Sequence, residues 1–225
     1  MVSAPLSVTL RTPCFLHWPV DPAAIAAVLP DGLEPETHDG RAWVSVVALV
    51  MADASPQFVP VGRTFPSLNC RTFVRADGVS GVYFLSLDAA DRLGVAVARR
   101  LFGMPYHRAT MDVSGADGRR RFRSERVADG TRFDLTYASG AVRDPAADGS
   151  LEAFLLERYR FLTVSERGRR AVGRIDHDPW PLREVTVDVE TNEVFAAAGL
   201  DVPDRDPLAH YSPGVRTTFG VPRRL

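Results

Sequence analysis

The sequence predicts one α+β domain, mainly antiparallel β, with a curved sheet or barrel and a few helices at its rim. Three observations carry this. Most segments show two-residue alternation or short β-branched and aromatic runs, which is the strand signal. Asp39-Gly40, Asp77-Gly78, Asp117-Gly118 and Asp129-Gly130 punctuate them as turns that take positive φ. Strands outnumber helices without alternating with them one for one, which argues against a doubly wound parallel sheet.

In chain order the expected strands are Leu10–Trp18, Ala42–Met51, Leu68–Arg75, Val79–Leu87, His107–Val113 and Arg119–Val127. Thr131–Ala138, Tyr159–Ser165, Arg169–Asp176, Arg183–Val189 and Val215–Gly220 follow. The hairpin from Arg119–Val127 to Thr131–Ala138 turns through Ala128, Asp129 and Gly130. A first helix starts at Asp21, an N-cap with Pro22 behind it, and lines up Ile25, Val28 and Leu29. A second is expected over Asp88–Leu101, with Ala90, Leu93, Val97 and Leu101 at helical spacing and Gly103 as a stop. A third starts at Ser150 and runs through Phe154, Leu155 and Tyr159, and a shorter one spans Asn192–Ala198. Asp53–Pro66 holds three prolines and Gly62, shows neither period, and is expected as a long ordered loop: a surface excursion or a flap over a cavity mouth.

The 225 residues show no fixed-period repeat and no low-complexity tract, so a single domain over 1–225 is expected. A net charge of -1 gives no global attraction to nucleic acid or to an anionic membrane. The basic run Arg119-Arg120-Arg121-Phe122-Arg123 has Asp117, Glu125 and Asp129 close by, which reads as a solvated strand and not a nucleic-acid face. The first twenty residues hold Arg11, Pro13 and His17 and do not read as a signal peptide. The apolar run Ala42–Ala52 is too short for a bilayer span of about 20 residues. Cys14 and Cys70 are expected as thiols in a cytoplasmic protein. All 27 basic residues are arginine, so no lysine exists to form an imine with a carbonyl substrate.

Phe65-Pro66-Ser67-Leu68-Asn69-Cys70-Arg71-Thr72-Phe73-Val74 resembles a motif of the form F-x-E-L-N-x-R-T-Y-V. Gly81–Ala89, Ala98–Tyr106, Gly149–Tyr159 and Ile175–Leu182 follow it. In that order and spacing the segments resemble the YqjF-like family of unknown function (domain of unknown function 2071), in the acetoacetate decarboxylase-like superfamily. The resemblance implies a conical β-barrel or curved sheet around a small-molecule cavity, and a possible homodimer by analogy with oligomeric decarboxylases. It places Tyr106 and His107 where the decarboxylase carries its lysine pair, and Ser67 where the family motif shows glutamate. Imine chemistry therefore does not transfer.

Tyr106 and His107 are the candidate catalytic residues, a proton donor and a base on opposite faces of one strand. Asn69, Arg71 and Phe73 share the other candidate face. Arg71 suits a bidentate grip on a carboxylate or enolate, or pairs with an acid such as Asp88 to hold strands together. Tyr159, His177 and Trp180 complete the candidate substrate contacts, although His177 and Trp180 also read as anchors of the turn at Pro179 and Pro181. His17, His38 and His210 are scattered, no metal-ligand spacing occurs, and no cofactor is expected. Three functions remain open: an imine-independent lyase, hydratase or isomerase on a small carbonyl or carboxylic acid; a noncatalytic binder or sensor of a small metabolite; and a structural module with a filled barrel.

Overall fold

The computed structural model describes residues 6–56, 62–91, 103–116, 118–165 and 167–225. Within them the strands are β1 (Leu6–Val20), β2 (Glu34–Pro35), β3 (Ala42–Pro56), β4 (Arg63–Ala76), β5 (Val79–Ala89), β6 (Tyr106–Ala116) and β7 (Arg119–Arg126). They continue as β8 (Arg132–Arg143), β9 (Arg160–Val164), β10 (Arg170–His177), β11 (Leu182–Asn192), β12 (Leu208–Tyr211), β13 (Gly214–Phe219) and β14 (Arg223–Arg224). Three short helices are α1 (Pro22–Val28), α2 (Leu151–Leu156) and α3 (Val194–Ala197). No helix among the described residues is long and apolar enough to cross a membrane.

Pairing is antiparallel except where β5 meets β6 and β9. Those two parallel contacts close the sheet twice. One circuit runs β1-β3-β4-β5-β9-β10-β13 and back to β1. The other runs β1-β3-β4-β5-β6-β7-β8-β11-β12 and back to β1. The four strands β1, β3, β4 and β5 form a wall common to both, and each face of that wall lines a separate core.

Side-chain alternation sorts the wall residues. Val44, Val46, Leu68 and Cys70 face Phe122, Phe133 and Leu135 of the larger circuit. Val47, Leu49, Phe73 and Leu87 face Phe161, Ile175 and Val215 of the smaller one, where α2 inserts Leu155 and Leu156. In β1 the alternation changes phase: Val8 and Leu10 share the smaller core with Phe15. A register shift between Arg11 and Cys14, with Thr12 at φ 49°, accounts for the switch.

Two helix starts follow the sequence reading. Asp21 Oδ1 accepts from Ala23 N at 2.8 Å, and Ser150 Oγ accepts from Ala153 N at 3.1 Å. α2 stops at Leu156, short of Tyr159, and α3 is a single turn inside the expected Asn192–Ala198. The expected long loop is mostly strand: β3 runs to Pro56, β4 starts at Arg63, and Ala54 pairs with Arg63. Asp53 at φ 55° and the register shift between Met51 and Ala54 bend the arm, so period-2 alternation is lost although pairing continues. Of that loop, residues 57–61 lie outside the described residues. The expected helix over Asp88–Leu101 does not begin at Asp88, because Asp88 and Ala89 close β5 opposite Leu68 and Ser67; its residues 92–101 lie outside the described residues. Across the exposed face, Arg121 and Arg123 bond Asp134, and Arg121 also bonds Glu190, so the arginine run is compensated.

The expected Arg71–Asp88 pairing is overturned, since the two side chains leave β4 and β5 on opposite faces. Asp88 Oδ1 instead accepts from Arg126 Nε at 2.8 Å, and Arg126 Nη2 donates to Ser86 Oγ at 2.7 Å, all buried in the larger circuit. Desolvation outweighs the Arg126 charge and pushes the Asp88 carboxyl up to about 6. In the smaller circuit, Gly173 stands opposite Phe161, and a Cβ there would meet the ring at 2.0 Å.

Two outcomes follow for urea unfolding. Arg126→Met strands a buried carboxylate and lowers stability by about 3 kcal/mol, whereas Arg174→Met, at the exposed Arg174–Asp176 pair, stays within about 0.5 kcal/mol. Gly173→Ala displaces the Phe161 ring and costs about 1–3 kcal/mol, read as a lower midpoint with an unchanged slope.

Candidate functional site

A cavity of about 70 Å³ opens inside the smaller circuit, where the wall meets the first residue of β6. Leu10, Leu49, Met51, Phe84, Leu87 and Phe219 give it apolar walls, with Leu6 and Met104 at its margin. Asn69 and Tyr106 are its polar members. Backbone bonds from Leu87 N to Pro105 O (3.0 Å) and from Tyr106 N to Met104 O (2.8 Å) fix the entry into β6. Tyr106 then stands opposite Leu87, itself opposite Asn69, so the two polar groups flank one apolar residue across three strands.

Burial pushes the Tyr106 phenol up to about 12, so it stays protonated and available as a donor. No hydrogen bond from its hydroxyl to a described residue is formed. The Ser67 hydroxyl donates to the Asp88 carbonyl at 3.0 Å, with Asn69 Oδ1 3.3 Å away. Ser67 is itself fully buried, so the position where the family motif shows an acid is here a small backbone-bonded hydroxyl.

Arg71 lies two residues beyond Asn69 on the same strand face and points away from this cavity, toward α2. Its Nη2 donates to Leu155 O at 3.2 Å and its Cζ sits 5.7 Å from the Phe15 ring centre. Burial and the neighbouring Arg158 charge lower its guanidinium to about 10, still charged at neutrality. No carboxylate among the described residues pairs with it. Arg158 Nε bonds Phe154 O at 2.5 Å and Trp180 Nε1 bonds Leu156 O at 3.2 Å. Three consecutive carbonyls at the end of α2, left open by the helix geometry, are thus each taken by a side chain, from Arg158 just beyond the helix and from Arg71 and Trp180 on other segments.

The remaining expected contacts lie elsewhere. Tyr159 stacks on His177 at 4.8 Å, His177 meets Trp180 at 5.0 Å, and Trp180 meets Phe15 edge-on at 5.0 Å. Glu157 ties the column together, accepting from Tyr159 Oη at 2.6 Å and Trp180 N at 3.0 Å. Trp180 is core, and Tyr159 borders an open groove with Arg158, Arg160 and Arg174. His107 occupies the opposite face from Tyr106, level with Asp88 and inside the larger circuit. The structure therefore unites Asn69 and Tyr106, sets Arg71 next to Asn69 on β4 but turned toward α2, and separates His107, Tyr159, His177 and Trp180 from the cavity.

Sequence reasoning left His17 and His210 scattered, and the register gathers them. Phe15 pairs with His210 and His17 with Ser45, bringing the two imidazole centres to 5.2 Å. Burial and the neighbouring charges push His17 well below its usual range, and burial pushes His210 down to about 4, so both are neutral at pH 7. The available signal was His17 standing alone in the apolar run Cys14–Trp18. Cys14 and Cys70 are both free and buried, with desolvation raising the Cys70 thiol to about 12. Among the described residues, no group of three or more His, Cys, Asp or Glu is placed to hold a metal ion.

Comparison with known proteins agrees with this architecture. Enzyme MppR of enduracididine biosynthesis, complexed with the condensation product of pyruvate and imidazole 4-carboxaldehyde, superposes with a TM-score of 0.71 at 14% identity, over 100% of this chain and 90% of that one. Acetoacetate decarboxylase from Legionella pneumophila superposes with a TM-score of 0.65 at 12% identity, over 99% and 88%. These likenesses show an acetoacetate decarboxylase-like fold. In sequence, the chain is 36% identical over 202 residues to the uncharacterized protein YqjF of Bacillus subtilis (strain 168), covering 88% of this chain and 83% of that one. The model of the DUF2071 family of uncharacterized conserved proteins matches residues 7–216. With nearly the whole chain matched, the protein belongs to the DUF2071 family.

Proposed function

We propose that the protein is a noncatalytic binder of a small, mainly apolar molecule bearing one carbonyl or hydroxyl oxygen. The observation that carries this reading is a neutral phenol, Tyr106, without a described protein partner, facing a cavity whose only other polar wall residue among those described is Asn69. An oxygen on the ligand accepts from the phenol and the Asn69 amide, and its carbon frame lies against Leu49, Met51 and Phe84. Among the described residues the lining offers no amine for an imine and no group that is a base at neutral pH. A fold relative complexed with pyruvate supports a small carbonyl compound as the ligand type.

The size of the cavity limits the affinity. A void of 70 Å³ accepts roughly five water-sized groups, at about 10–15 Å³ each. At a ceiling of about 1.5 kcal/mol per heavy atom, such a ligand binds no tighter than micromolar.

Butanone, with a carbonyl and four carbons, is the test probe. Calorimetry is expected to show saturable binding, with the ketone recovered unchanged by NMR. Tyr106→Phe weakens it about five- to tenfold, the value of one hydrogen bond, and Leu49→Trp, which fills the void, abolishes it. Conversion of the ketone overturns the reading in favour of an imine-independent enzyme with Tyr106 as proton donor. Absence of binding, or equal binding by Tyr106→Phe, overturns it in favour of a structural module.

A further inference from the structure

The smaller circuit holds a second polar group that the apolar cavity does not use. Strand register aligns His17 with Ser45 and Ser45 with Arg71, while Phe15 aligns with His210. His17 is 0% exposed and His210 3%. His17 Nδ1 lies 2.6 Å from Ser45 Oγ, and His210 Nε2 lies 3.0 Å from Glu152 Oε1, which also bonds Arg143 Nη1 at 2.9 Å.

The carboxylate partner fixes the tautomer of His210. A carboxylate only accepts, so His210 carries its proton on Nε2 and leaves Nδ1 as a bare acceptor. The Ser45 hydroxyl can donate or accept; in the tautomer in which it donates to His17 Nδ1, His17 carries its proton on Nε2 and presents it as a donor. Arg71 Nε is a donor in every state. These three nitrogens, His17 Nε2, Arg71 Nε and His210 Nδ1, are all buried and all without a partner among the described residues. Leaving each one unpaired costs about 1–3 kcal/mol. Two donors and one acceptor on neighbouring strands are complementary to an occupant offering acceptor oxygens and one O–H.

Charge narrows the occupant further. Arg158 is matched by Glu36 and Arg143 by Glu152, whereas Arg71 has no carboxylate among the described residues. Among the described residues, Arg71 is thus a buried cation without a matching negative charge.

We propose that this inner site binds a small 2-hydroxycarboxylate, its carboxylate accepting from Arg71 Nε and His17 Nε2 and its hydroxyl donating to His210 Nδ1. An anion without the hydroxyl satisfies the two donors and leaves the acceptor unmet. A neutral hydroxyamide leaves Arg71 uncompensated. The site shares β4 with the cavity but none of its lining residues, so the proposal does not rest on the cavity reading.

Glycolate is the probe, with acetate and glycolamide as controls at ionic strength fixed by sodium chloride. Calorimetry is expected to give saturable glycolate binding about tenfold tighter than acetate, with none for glycolamide. Nitrogen-15 correlation spectra are expected to show glycolate moving the ring signals of His17 and His210 and not those of His38 and His177. Arg71→Gln also frees the Leu155 carbonyl and can fail to fold, so the decisive variant is His210→Phe, with its fold checked by circular dichroism. It is expected to reduce glycolate binding to the acetate level. Equal responses to glycolate, acetate and chloride, or a glycolate preference that survives His210→Phe, overturn the proposal. Butanone and glycolate are titrated separately, so failure of either site is distinguishable from failure of the other.

Discussion

A sheet wall buried on both faces constrains everything else in this molecule. β1, β3, β4 and β5 carry one core on each side, so over their central residues neither face of these strands can put a polar group into water. Each polar side chain on the wall must find a partner inside. Thr72 donates to the Trp43 carbonyl, Ser67 reaches the Asp88 carbonyl, and Asp88 takes Arg126. Where no described residue provides a partner, as at His17 Nε2 and Arg71 Nε, the unmet group marks a place for something else.

Local chemistry made much of the fold legible. Alternation located most strands, the Asp21 and Ser150 caps located two helices, and Asp77-Gly78 and Asp129-Gly130 lie in two of the turns. The double closure was not legible, because it depends on β5 meeting β6 and β9 in parallel over only two or three residue pairs each. No local pattern encodes contacts so brief between segments so distant. The strand ends around Asp53 were hidden for another reason: a bent arm loses alternation while keeping its partner.

The candidate site was half legible. Alternation correctly placed Asn69 with Arg71 and set Tyr106 apart from His107, since both inferences need only the pleat. It could not say what Arg71 touches, because Leu155 is 84 positions away and presents a main-chain oxygen, which no side-chain pattern announces. The family-like segments around Gly149–Tyr159 and Ile175–Leu182 also turn out to serve one another. Arg158 and Trp180, together with Arg71, hold the end of α2, and Glu157 binds both Tyr159 and the Trp180 backbone. A conspicuous motif here is partly a clasp for a helix of six residues, too short to persist by itself.

Because successive residues of β4 belong to different chambers, a one-residue insertion or deletion there would not simply shorten a strand. It would exchange the furnishings of the two rooms, sending Asn69 and Arg71 to one side and Leu68 and Cys70 to the other. The wall already holds such phase slips, one near Thr12 in β1 and one in β5 between the partners of Cys70 and Arg71. Point substitutions can thus retune either chamber alone, whereas length changes in the partition rewrite both at once. Variation in chain length among its relatives is accordingly expected to gather at hairpin tips and to spare the partition.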